Sequence, residues 1–108
     1  MKNLNNMMFV LNAGSQIADY VNTISKVSES YEKAKATAAE ALGFANCMTV
    51  YLNTMISADN NDFTQELDEV IDNWRANIFQ ALVDVAIRTN QPNDTIIKLG
   101  HHRDNYRS

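Results

Sequence analysis

From Val10 to Met55 an apolar residue falls at every three- or four-residue step. The series is Val10, Ala13, Ile17, Tyr20, Ile24, Val27, Tyr31, Ala34, Ala38, Ala41, Ala45, Met48, Leu52 and Met55. Positions at this spacing share one face of an α-helix, so the stripe predicts a helix buried on one side along its length. The mean step of about 3.5 residues is the seam period of helices that wind about each other. Unbroken, the helix would reach roughly 70 Å at about 1.5 Å per residue.

Two segments punctuate the stripe. Asn12-Ala13-Gly14-Ser15 holds a glycine able to end a helix and a serine able to cap the next. Ser28-Glu29-Ser30 carries serines that compete for backbone hydrogen bonds. Neither segment shifts the phase, and a lone glycine in a helix costs only about 1 kcal/mol. The pattern therefore favours one long or gently kinked helix, with Leu4 to Leu11 also helical.

The clear loop is Ser57-Ala58-Asp59-Asn60-Asn61-Asp62, where Asp and Asn favour turns and caps. Asp62 with Gln65 resembles a capping box. A second helix follows from Phe63 to about Thr89, with its stripe at Leu67, Ile71, Trp74, Ile78, Ala81 and Val85, broadened by Val70 and Leu82. Asp62, Glu66, Asp68, Glu69 and Asp72 crowd its start, where carboxylates suit the positive end of the helix dipole. Asn90-Gln91-Pro92-Asn93 stops it. Asp94 to Leu99 is too short to assign, and Gly100 to Ser108 reads as a polar tail. Residues 1–99 thus form a single helical domain and residues 100–108 a flexible extension.

A short loop between long helices implies an antiparallel hairpin. Trp74 then meets Phe44 and Ala45, Ile78 lies over Ala38 and Ala41, and Val85 lies near Ala34. Large side chains face small ones, as core packing requires. Arg88 falls near Glu29, Ser30 and Glu32. The hairpin leaves Val10, Ile17, Tyr20, Ile24 and Val27 uncovered, with Leu11 and Val21 beside them. Burying each such aliphatic group is worth about 1.5–3 kcal/mol, so a cover is expected. Either the N-terminal segment folds back and completes a three-helix bundle, or another copy or a different protein covers it. The weak break at Ser28 favours the second. The expected fold is all-α: an antiparallel helical hairpin or three-helix bundle with coiled-coil-like packing and a long first helix.

Composition narrows the function. With 45% hydrophobic residues the chain of 108 residues supports a core, and three glycines and one proline argue against a turn-rich β fold. A net charge of −4 disfavours duplex nucleic acid as a partner. No stretch approaches the ~20 apolar residues of a membrane span. The N-terminal run, interrupted at Asn12, is too short for a cleaved signal peptide. The expectation is a soluble, cytoplasmic protein that does not engage membranes. Cys47 is the only cysteine, so no intrachain disulfide forms.

Candidate chemistry is sparse. His101 and His102, the only histidines, lie in the expected tail and lack spaced metal-binding partners. Cys47 lies beside the alanine stripe and reads as a structural thiol. No glycine-rich phosphate loop or nucleophile elbow is present. The reading contains no catalytic residue, metal site or cofactor. It is a non-enzymatic helical interaction module of inhibitor, adaptor or chaperone type, a kind common among small viral proteins. Its expected surface for self-association or partner binding is Val10, Ile17, Tyr20, Val21, Ile24, Val27 and Phe79. Phe79 lies beside the seam, where wrapping the core competes with anchoring a partner. The alternative is a binder of a nucleotide or other anion between protomers, with Tyr31, Lys33 and Lys35 at the site beside Tyr20.

Overall fold

A computed structural model describes residues 2–27, 30–56 and 61–107. It holds four helices: α1 (Lys2–Val27), α2 (Tyr31–Ile56), α3 (Asn61–Arg88) and α4 (Asn93–Asn105). No strand occurs among the described residues, so the all-α class is met with four helices rather than two or three. Residues 57–60 of the expected loop, and the side chains of Val27, Asp62 and Gln65, lie outside this description.

The expected long first helix is two helices. Ser30 decides the break: its hydroxyl accepts from the Lys33 N–H at 3.2 Å, and its carbonyl accepts from the Ala34 N–H at 3.1 Å. That is the bonding of a residue that begins a helix, not one that sits inside it. The reversal lets α1 fold back against α2 and α3 and bury Ile17 and Ile24. Burial of aliphatic side chains, worth about 1.5–3 kcal/mol each, outweighs the few helical bonds lost at the turn. Arg88 ties the far ends together, its Nη1 donating to the Ser25 carbonyl in the last turns of α1 at 2.9 Å.

α1, α2 and α3 pack mutually as a bundle in which α2 runs against both neighbours. The core places Ile17 and Ile24 of α1, and Ile71, Trp74, Ile78 and Val85 of α3, around Ala34, Ala38, Ala41 and Ala45 of α2. The predicted pairing of large against small is therefore present. The alanines accept bulk from two sides rather than one.

The tail expected from Gly100 is instead the second half of α4. Asn90 adopts φ 59°, the left-handed conformation that closes a helix. The Gln91 N–H bonds to the Ala86 carbonyl and the Asn90 N–H to the Ile87 carbonyl. Pro92 then starts α4, which runs back along α3 and, among the described residues, packs on no other helix. Leu99 is buried and Ile96 packs beside it. Ile96, Leu99 and Tyr106, with the half-buried Arg103 between the last two, recur at three-four spacing and are the signal that a polar-tail reading overlooks. On α3 it meets a second row at Ala76, Phe79, Val83 and Ala86, of which all but the half-buried Phe79 are buried. The molecule measures 49 × 25 × 15 Å, with a radius of gyration of 15.1 Å. A compact chain of this length has a radius of about 13 Å, so the bundle is elongated and thin.

Candidate interaction surface

The residues expected to form an uncovered stripe are mostly used within the chain. Ile17 and Ile24 keep 2% and 0% of their surface, because α2 and α3 cover them. Tyr20, Val10 and Val21 are half-buried against the core, and the Tyr20 ring tilts onto Phe44 at 6.2 Å. Phe79 is also half-buried. Its ring stacks on His102 at 5.2 Å and on Tyr106 at 6.0 Å, so it seats α4.

The residues expected at an anion site between protomers lie in the first turns of α2. Tyr31 belongs to the core, and the Lys35 ammonium lies 5.3 Å from its ring centroid and 3.5 Å from Glu32 Oε1. Lys33 and Lys35 are exposed on the helix surface. They line none of the described hollows.

Among the described residues, five of the eight exposed large apolar side chains lie at the other end of the α1–α2 pair, while Val70, Ile87 and Ile97 are exposed on α3 and α4. Phe9 stacks on Tyr51 with ring centroids 5.1 Å apart. Met8 and Leu11 flank Phe9 and are 56% and 71% exposed, while Val50 and Tyr51 are 68% and 45% exposed. Cys47, Val50, Tyr51 and Thr54 share one side of α2 and line a shallow apolar trough with Asn46. Cys47 is exposed there, contrary to the buried thiol expected, because its place between Ala45 and Met48 turns it out of the seam. The charge pattern that marks this end is in the sequence: residues 3–18 and 41–58 contain no Asp, Glu, Lys or Arg. The helical reversal at Ser30 lays these two neutral stretches side by side.

Two other surfaces surround α3. A groove of about 440 Å³ runs between α1 and α3, with Trp74 and Gly14 among its lining residues. On the α4 side, Arg75 lies at a junction of helices. It donates to Asp72 Oδ1 at 2.8 Å, to Asn46 Oδ1 at 2.9 Å and to Thr49 Oγ1 at 2.8 Å, and lies 5.7 Å from the Tyr106 ring. Arg103 donates to Gln80 Oε1 at 2.8 Å. Its bond to Asp104 also holds that carboxyl below its ordinary value. No group of three or more His, Cys, Asp or Glu able to hold a metal ion occurs among the described residues. No described helix is long and apolar enough to cross a membrane.

Comparison with protein-family models, with curated proteins and with solved structures gives no match for this chain.

Proposed function

We propose that the protein is a non-enzymatic helical interaction module that self-associates through the neutral end of the α1–α2 pair. The observation that carries this reading is the coincidence of exposure and charge. Met8, Phe9, Leu11, Val50 and Tyr51 stand exposed where both helices lack charged residues. A contact between two identical surfaces places like groups together, and the chain carries a net charge of −4. An acidic patch would repel its copy, whereas an uncharged apolar one meets it at no such cost. Aromatic anchors such as Phe9 and Tyr51 are of the type enriched at binding hot spots.

The elongated shape is consistent with this role. The chain exposes 6852 Å². A folded monomer of its mass exposes about 6,100 Å². Assembly would return the excess to the interior.

Light scattering across a concentration series tests the proposal. The expected mass is at least twice the 12.2 kDa of the chain. Val50→Lys should return it to one chain without loss of helicity, since Val50 contributes little to the fold. A single-chain mass at every concentration, or an assembly indifferent to Val50→Lys and Leu11→Lys, would overturn it.

A further inference from the structure

The groove between α1 and α3 has a chemistry unlike that of the neutral apolar end. Asn73, Asn77, Gln80 and Asp84 recur at three-four spacing along α3 and form one wall, with Asn22 among the groups opposite on α1. The side-chain amides of Asn22, Asn73 and Asn77 make no hydrogen bond among the described residues. Beneath them Trp74 is 8% exposed, so its ring faces belong to the core. Its Nε1 edge turns toward Gly14, lying 3.6 Å from where a Cβ on that glycine would stand. No described residue accepts the indole N–H. A buried indole donor ordinarily has an acceptor. Here the missing side chain of Gly14 leaves room for one to approach from the groove.

The chemistry selects among ligands. Asp84 is the only charged group among the described lining residues, and Gln80 Nε2 donates to it at 3.0 Å. No Lys or Arg is among the described lining residues; Arg88 and Arg103 reach the groove only through the Ser25 carbonyl and Gln80 Oε1, to which they already donate, so the groove itself offers an anion no cation. The buried faces of Trp74 offer no platform on which a sugar or base would stack. What remains are the amides of Asn22, Asn73 and Asn77, which both donate and accept, together with one orphan donor. An extended polypeptide backbone supplies the complement, carbonyls and N–H groups in alternation. Four-residue steps along α3 advance about 6 Å, close to the roughly 6.8 Å two-residue repeat of an extended strand. The run from Asn73 to Asp84 is then long enough for about five strand residues. The groove is also not closed at the Asn73 end, where the same residue lines a hollow with Tyr106 and Arg107 of the α4 side.

The geometry points to the α1–α3 groove as a binding site for an extended, uncharged peptide segment of another protein. The Trp74 N–H donates to one of its backbone carbonyls, and Asn73 and Asn77 bridge its backbone amides.

Trp74 is the only tryptophan, so its fluorescence reports directly on the groove. The full chain would be used to select binders from a display library of random linear heptapeptides, and the selected peptides titrated against it. The expected result is a saturable change in Trp74 emission. Affinity should fall about ten-fold or more in Asn73→Ala/Asn77→Ala, whose helicity and melting temperature stay near those of the parent. Val50→Lys should bind as the parent does, which separates this site from self-association. Failure to select any peptide would overturn the proposal, as would peptides that bind the double variant equally well. A saturable response to glucose or adenosine without one to peptides would overturn it too.

Discussion

At the scale of single residues, two helical glycines have opposite surroundings. Gly43 is exposed on α2 with open space where a Cβ would stand, and its φ is not positive. Gly43→Ala should therefore stabilise the protein by about 0.5–1 kcal/mol, the ordinary helical advantage of alanine. At Gly14 the added Cβ would lie 3.3 Å from Trp74 Cζ2, so the indole must give way. Gly14→Ala should recover less of that advantage and shift the Trp74 emission, which Gly43→Ala leaves unchanged. Urea unfolding followed by circular dichroism, with fluorescence in parallel, measures both. The sequence shows two glycines in one periodic helix, and only the packing of α1 on α3 distinguishes them. Cys47 teaches the same lesson: adjacency to an apolar stripe does not say whether a side chain turns into the seam or away from it.

At the scale of elements, α4 is the helix most dependent on its neighbour. It has 13 residues, near the ~12–15 at which an isolated helix is marginal in water. Its stability comes from docking Leu99 and the His102 and Tyr106 rings onto α3. Leu99→Ala should cost about 2 kcal/mol, at the low end for such truncations because the site borders solvent. It should also release α4 first: amide hydrogen exchange should rise over residues 93–105 before it rises in the α1–α3 bundle. Uniform exchange along the chain would show that α4 unfolds only with the rest. A histidine pair in a polar setting read as a tail because the apolar Ile96, Leu99 and Tyr106 lie three and seven positions apart along a short helix and its end. The α3 row that receives them is far away in sequence.

At the scale of the whole molecule, Arg75 joins three of the four helices. It donates within α3 and across to Asn46 and Thr49 of α2, and its guanidinium lies over Tyr106 beside α4. Arg75→Met keeps much of the aliphatic length and removes the donors. It should lower stability by about 1–3 kcal/mol, read as a lower denaturation midpoint with an unchanged slope. The thin, elongated shape has the same origin as this junction. α4 meets α3 alone, so the fourth helix extends the bundle sideways instead of closing it. That arrangement leaves α1 and α4 apart and keeps the α1–α3 groove open.

The helical class, the apolar seam, the stop at Asn90 and the match of large side chains to the alanines of α2 were all legible in the sequence. They follow from local periodicity and from residue types whose backbone preferences act over a few positions. The fold-back at Ser30 was not, because a capping serine and a mid-helix serine look alike until distant apolar groups compete for burial. Docking of α4 and the outward turn of Cys47 were hidden for the same reason. The exposed end of the α1–α2 pair lay between these cases. Its two charge-free stretches are plain in the chain, but only the reversal places them together, since the side-by-side packing of segments more than thirty residues apart is decided by the free energy of burial over the whole fold.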